Sequence, residues 1–195
     1  MESWALILAA GESSRMGKNK LLLPLKNKTI IEHVVDQAKQ AGIQNIMMVL
    51  GAYSDDMLPI INQMQVHHCY NKDFKDGMLS SIKCGFLHLP AGMDITVIFL
   101  GDQPEIPGEV AKILIKEYGK AAKGIVIPVF RGKRGHPVLI HKKYRKEIND
   151  LADSEGLRSL IHKYSEDTLE VETDFPGILK DIDLPLDYIK LTNSK

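Results

Sequence analysis

Short apolar runs alternate with amphipathic stretches along most of this chain. Trp4 to Ala10 (WALILAA) is uniformly apolar, which predicts a buried strand, and it runs into the polar, glycine-bearing stretch GESSRMGKNK at residues 11–20. From Ile30 to Ala41 the residues Ile31, Val34, Val35 and Ala38 recur at helical spacing, and Gly42 follows as a stop signal. Ile46 to Leu50 predicts the next strand, and Ser54 is expected to cap a helix running through Gln65 in spite of Pro59. Val66 to Tyr70 predicts a third strand, after which a helix is expected to begin at Ser80 or Ser81. Ile95 to Leu100 (ITVIFL) has the strongest strand character and ends abruptly at Gly101-Asp102-Gln103-Pro104. Pro107 opens a helix expected to end near Gly119, and Ile125 to Val129 and Pro137 to Ile140 predict strands on either side of the basic loop RGKRGH, residues 131–136. Residues 142–151 and 154–163 read as helices, Leu169 to Glu172 as a short edge strand, and Pro185 as the start of a last short helix.

Strands separated by helix-length segments imply parallel βαβ units, so the expected fold class is α/β, a three-layer α/β/α sandwich with a mostly parallel, Rossmann-like sheet. No repeat, low-complexity tract or linker interrupts the pattern, and a single domain over residues 1–195 is expected. In an open sheet of this kind ligands bind beyond the carboxyl ends of the strands. The Gly11 stretch follows the first strand and Asp102 follows ITVIFL, so both fall where a ligand site is expected.

Composition narrows the function classes. Lys plus Arg and Asp plus Glu each number 25, so the formal charge is zero, which argues against a basic nucleic-acid coat and against an acidic solvating tail. The apolar N-terminal run has no basic region before it and stops at Gly11, too short for a signal peptide or a membrane span; a cytoplasmic protein without membrane or nucleic-acid partners is expected. Cys69 and Cys84 are isolated, with no CxxC pair and no histidine at zinc-ligand spacing, and are expected to be small buried residues. His67 and His68 are assigned to strand packing or surface.

The polar stretches carry the candidate chemistry. In LAAGESSRMGKNK (residues 8–20), Gly11 and Gly17 permit positive φ, Ser13 and Ser14 offer hydroxyls, and successive backbone N–H groups make an anion-binding concavity. Arg15, Lys18 and Lys20 add cations, a combination suited to a triphosphate. The loop is not a Walker A motif, because five residues separate the glycines and Asn19 follows Lys18; nor is it GxGxxG. Asp102, just past a buried strand, is a candidate Mg²⁺ ligand, since Mg²⁺ takes oxygen ligands and bridges phosphates; a plain turn aspartate is the competing reading. Asp183 precedes Leu184-Pro185 and so reads equally as a helix N-cap.

The motif LAAGxSxRMGxxK, followed by Leu23-Pro24-Leu25, resembles the nucleotide-holding loop of the MobA-like nucleotidyltransferase superfamily, and NKDFKDGMLSSI (71–82), GDQP (101–104), GHPVL (135–139) and DIDLPLDY (181–188) match in order. The set most resembles the molybdenum-cofactor branch, especially its cytidylyltransferases. This resemblance implies nucleotide contacts from Leu8, Ala9, Ala10, Gly11, Ser13, Arg15 and Lys20, with Asn71, Gly77, Ser80 and Ser81 near the base. It implies Arg15, Lys20 and Asp102 as catalytic groups, and Mg²⁺ held by Asp102 with Asp181 or, preferably, Asp183. Arg134 and His136 are the expected acceptor contacts beside Arg131 and Lys133. LAAG and GMLSS look like the cytidylyl rather than the guanylyl version, so the expected reaction is transfer of CMP from CTP to molybdopterin carrying molybdenum, with release of pyrophosphate and a molybdoenzyme as a client. Guanylyl transfer, cytidylyl transfer to another phosphorylated small molecule, and a non-catalytic nucleotide- or cofactor-binding chaperone are the alternatives.

Overall fold

The computed structural model describes residues 1–152 and 155–193. In chain order its elements are β1 (Ser3–Ala9), a 3-10 turn (Lys20–Leu22), β2 (Pro24–Leu25), β3 (Lys28–Thr29), α1 (Ile30–Gln40), β4 (Asn45–Leu50), α2 (Ser54–Met64), β5 (His67–Tyr70), α3 (Met78–His88) and β6 (Ile95–Leu100). They continue with α4 (Gly108–Ala121), β7 (Ile125–Phe130), β8 (Lys133–Arg134), β9 (Val138–His141), α5 (Arg145–Asp150), α6 (Leu157–Lys163), β10 (Thr168–Glu172) and α7 (Pro185–Asn193).

One central sheet runs in the order β10-β7-β9-β6-β1-β4-β5, with β8 hairpinned onto β7; β2 and β3 form a separate small hairpin. β1 pairs in parallel with both β4 and β6, and among the described strands of this sheet β9 and β8 run antiparallel to the others. The alternation of side chains along a strand sends Ala5, Ile7 and Ala9 into one core, shared with α1, and Trp4, Leu6 and Ala10 into the other, shared with α3. These are the two faces of an α/β sandwich. The chain winds from β1 outward through β4 to β5 and then crosses back to β6 on the other side of β1, so the strand order reverses at β1. Leu8 of β1 stands beside Leu100 of β6, which brings the carboxyl ends of these two strands, and the loops that follow them, together at a topological switch point.

Several local expectations give way to tertiary structure. α3 begins at Met78 rather than at Ser80 or Ser81, because Gly77, at φ 97°, turns the chain directly into the helix. Ser80 instead hydrogen-bonds back to the Asp73 and Gly77 carbonyls. Tyr53, not Ser54, is the N-cap of α2, and Pro59 sits inside that helix. α4 passes through Gly119 to Ala121, since the buried Val110, Ala111 and Leu114 outweigh the roughly 1 kcal/mol that an exposed glycine costs a helix. The expected helix at 142–151 is a 3-10 turn followed by α5, and of the expected helix at 154–163, Leu157–Lys163 is helical while Ser154 lies outside the described residues. β10 lies at the sheet edge, as its sequence predicts. Among the described residues no helix is long and apolar enough to cross a membrane.

Gly51, directly after β4, lies where a Cβ would come within 2.4 Å of the Ala10 carbonyl oxygen and 2.8 Å of the Ala10 methyl. Backbone cannot move aside as a flexible side-chain tip can. Gly51→Ala is therefore expected to destabilise the fold by about 1–3 kcal/mol, the scale of overpacking, read as a lower urea midpoint with an unchanged m-value.

Candidate functional site

The loop after β1 turns at Ser13, which has φ 47° and whose carbonyl accepts from the N–H groups of Met16 (2.8 Å) and Gly17 (3.2 Å). The Ser13 hydroxyl accepts from the Lys20 N–H at 3.4 Å, which ties the start of the loop to its end. Among the described residues, the N–H groups of Gly11 to Arg15 find no acceptor within the protein. They form a run of open donors beside the carboxyl end of β1, the arrangement that binds anions.

Opposite this loop lies an acidic cluster built by two segments far apart in sequence. Asp102 follows β6, and Asp181 and Asp183 precede α7; the Ile182 N–H bonds to the Asp102 carbonyl at 3.1 Å, which holds the two segments together. Lys20 reaches into the cluster. Its ammonium donates to Asp102 Oδ2 (2.7 Å), the Ile182 carbonyl (2.6 Å) and Asp183 Oδ1 (3.1 Å), which uses all three of its protons. Arg15 Nη1 binds the other oxygen of Asp183 at 2.9 Å. Burial would lower the Lys20 pKa, but the charges and hydrogen bonds of Asp102 and Asp183 outweigh it and raise the pKa above its ordinary 10.5.

The flanking residues fix these groups. Buried Gln103 donates to Asp181 Oδ1 at 2.6 Å. Gln37 of α1 donates to the Pro104 carbonyl at 2.7 Å, which pins the turn that carries Asp102. Burial raises the Asp181 pKa, the Gln103 amide opposes the rise, and the nearby Asp102 and Asp183 charges add to it. Asp183 is not the helix cap. Asp187, in the first turn of α7, reaches back to accept from the Asp183 N–H (3.2 Å) and the Leu184 N–H (2.8 Å), while the Asp183 carboxylate faces Lys20 and Arg15. The donor set is carboxylate and carbonyl oxygen gathered around positive charge, which is the set that a hard divalent cation such as Mg²⁺ or Mn²⁺ takes.

Loop and acids open on one cleft of about 460 Å³. Of the residues singled out from sequence, Leu8, Ala9, Ala10, Gly11, Ser13, Arg15, Lys20, Gly77, Ser81, Asp102, Asp181 and Asp183 line it. Asn71 and Ser80 stand just behind this wall: Asn71 is buried and its amide donates to both Ser80 Oγ (2.9 Å) and Ser81 Oγ (3.0 Å). Met78, within the GMLSS stretch expected to border the base, also lines the cleft; Phe74 lines it too and was missed, its signal being a large apolar residue three positions before Gly77 in a stretch already singled out.

The basic 131–136 stretch lies outside this lining. Arg134 sits on β8 and its Nε donates to Glu170 at 2.7 Å, while Glu172 accepts from the Arg131 N–H at 2.9 Å, so the two glutamates of β10 offset this basic hairpin. His136 is half-buried, and burial pushes its pKa down to about 4 against the attraction of Asp102, so the ring is neutral near pH 7.

Comparison with known proteins agrees with this geometry. The model of the MobA-like NTP transferase domain matches residues 5–168. The chain belongs to this family of nucleotidyltransferases. It is 29% identical over 187 residues to the molybdenum cofactor cytidylyltransferase of Escherichia coli K12, covering 94% of this chain and 92% of that protein. The bifunctional protein GlmU of Staphylococcus saprophyticus is 29% identical over 120 residues, 60% of this chain but 26% of that protein, so the match spans about a quarter of that relative's length. Among solved structures, Rv0371c of Mycobacterium tuberculosis H37Rv superposes with a TM-score of 0.87 at 25% identity, covering 99% of this chain and 98% of that one. A manganese complex of Rv0371c superposes at 0.83 and 24% identity, covering all of both chains.

The Lys20 ion pairs have a pH signature. A raised lysine pKa stabilises the folded state fully below the unfolded value of about 10.4, and that stability is lost as pH rises through the folded value. Lys20→Met leaves Asp102 and Asp183 without their shared cation, so the variant is expected to unfold at lower urea than the parent at neutral pH. The gap should close above the ordinary lysine pKa of 10.5. A gap independent of pH would show that Lys20 acts through packing of its aliphatic stem.

Proposed function

We propose that this chain transfers CMP from CTP to the phosphate of molybdenum cofactor, with Mg²⁺, in the cytoplasm, and that the whole chain acts as one nucleotidyltransferase domain. One observation carries the reading: an open run of loop N–H groups faces an acid cluster across a single cleft, and Lys20 bridges the two. A nucleoside triphosphate needs both halves, donors for its phosphates and carboxylates for the cation that accompanies them. The E. coli relative supports the choice of base and acceptor.

In this reading an acceptor phosphate oxygen attacks the α-phosphorus of the nucleotide in line, the α–β bridging bond breaks, and pyrophosphate leaves with the electron pair. A phosphate monoester is largely ionised near neutral pH (second pKa about 6), so no dedicated base is required. The work is positioning and charge compensation. Asp102 and Asp183 would hold Mg²⁺, which would supply charge neutralisation for the phosphates. The N–H groups of Gly11 to Arg15 cradle the triphosphate. Lys20 and Arg15 spend their protons on carboxylates in the free protein, so each exchanges a carboxylate contact for a phosphate contact as substrate and cation arrive. Ala10 lines the cleft, where a pyrimidine, smaller than a purine, leaves room for its methyl, and Asn71 fixes the hydroxyls of Ser80 and Ser81. His136 serves the acceptor as a neutral hydrogen-bonding group, and Arg134, paired with Glu170 in the free protein, exchanges that carboxylate for the acceptor phosphate.

The assay is pyrophosphate release with CTP, GTP and ATP in parallel, each with Mg²⁺ and with or without molybdenum cofactor. Release with CTP that requires the cofactor is the expected outcome. Preference for GTP would replace cytidylyl with guanylyl transfer, and nucleotide binding without release would indicate a carrier. Within an active protein, Asp102→Asn is expected to abolish release with the fold retained by circular dichroism. Lys20→Ala is expected to lower kcat about 10²–10³-fold, the scale of losing one charge-stabilising donor; a change confined to KM for the acceptor would move Lys20 out of the nucleotide site.

A further inference from the structure

The chain contains two cysteines, and they touch. Cys69 lies on β5 and Cys84 on α3, and their sulfurs are 3.7 Å apart. His88, one turn further along α3, adds an imidazole nitrogen, and the three donor atoms all lie within 4.8 Å of one another, the one such His, Cys, Asp or Glu trio among the described residues. Cys69 is buried, Cys84 half-buried and His88 exposed, so the trio is open to solvent on the His88 side. The expectation of two isolated buried thiols is thus corrected for Cys84. The sequence signal was hidden because β5 and α3 supply the ligands at positions 69, 84 and 88, a spacing set by the sheet-helix packing and by no short motif.

We propose that Cys69, Cys84 and His88 form a binding site for a thiophilic divalent cation of the Zn²⁺ class, separate from the acidic cleft. In a tetrahedral site with metal–sulfur bonds of about 2.3 Å the two sulfurs stand about 3.8 Å apart, and the observed separation is 3.7 Å. The sulfurs therefore need no rearrangement to share an ion. His88 is the adjustable member: its ring is exposed on the last turn of α3, and Nδ1 lies 2.8 Å from the Cys84 carbonyl, which holds the ring back along the helix toward the thiols. Two sulfurs and an imidazole leave the fourth position to water. Thiolate and imidazole donors select zinc-like ions over Mg²⁺ and Mn²⁺, whereas the carboxylate and carbonyl oxygens of the cleft select the opposite way. The two sites discriminate by donor chemistry alone. Binding displaces thiol protons and joins the edge strand β5 to α3 two residues before Asn71 and one turn after Ser80, which braces the cleft wall from behind.

The test is a Co²⁺ titration of the reduced full-length protein without oxygen, in excess Mg²⁺ so that the acidic cleft is occupied. One equivalent of Co²⁺ is expected to produce thiolate-to-cobalt charge-transfer absorption, and Zn²⁺ to bleach it. Cys84→Ser should remove the band. His88→Ala, at an exposed position where folding is least at risk, should weaken Zn²⁺ binding by more than the roughly 10–100-fold that loss of an outer partner costs. A wild-type protein without the band, a band that survives Cys84→Ser, or unchanged Zn²⁺ affinity in His88→Ala would each overturn the three-ligand site. None of these outcomes depends on nucleotide transfer, so they stand or fall apart from the proposed activity.

Discussion

The Lys20 ammonium is the point at which three remote parts of the chain meet. It ties the loop after the first strand to Asp102 at the end of β6 and to the Ile182-Asp183 stretch ahead of the last helix. Charge requires some such arrangement. Asp102, Asp181 and Asp183 stand close together, and carboxylates in a partly desolvated cleft repel one another unless a cation sits among them. In the free protein Lys20 is that cation, assisted from outside by Arg15. A site built in this way is ready for a second cation only when an anion arrives with it to take over the lysine. On the proposed reading, nucleotide and metal ion would then enter as a pair, the ion offsetting part of the phosphate charge while the rest draws the lysine from its carboxylates.

The sheet decides where this exchange takes place. The reversal of strand order at β1 puts the ends of β1 and β6 side by side, in register at Leu8 and Leu100. The strands and the ligand end of the sheet were legible in the sequence, because apolar runs announce the strands and the residues following two of them were chemically unusual; the strand order and register come only from the fold. The same reasoning foresaw which loop and which acid would face each other. It could not foresee how they are held. Gln103 on Asp181, Gln37 on the Pro104 carbonyl and Asp187 reaching back from α7 to the Leu184 N–H join residues distant in sequence or reverse a local expectation, and no periodicity encodes them. Where sequence reasoning failed on helix ends, at Gly77 and Tyr53, backbone conformation overrode the capping residue that composition suggested. The hairpin of β2 and β3 escaped notice because two-residue strands carry no alternation to read.

The basic stretch at 131–136 illustrates a different limit. As sequence it is a cationic loop awaiting an anion. Folded, it is a hairpin whose Arg134 is engaged by Glu170 and whose Arg131 backbone is engaged by Glu172. Charge counted along the chain cannot anticipate a parallel strand that arrives from forty residues downstream to neutralise it (41 and 36 residues for the two contacts). His136 is similar: burial keeps it uncharged, so only hydrogen bonding remains to it.

The two outermost strands of the sheet have a further consequence. β5 ends one side with exposed His67, His68 and Tyr70, and β10 ends the other with exposed Glu170 and Glu172. Unpaired strand edges invite other chains to add on, and charged or bulky polar side chains discourage it. Two copies approaching through β10 would bring like charges together. The glutamates that temper the basic hairpin therefore also guard the sheet against edge-to-edge aggregation.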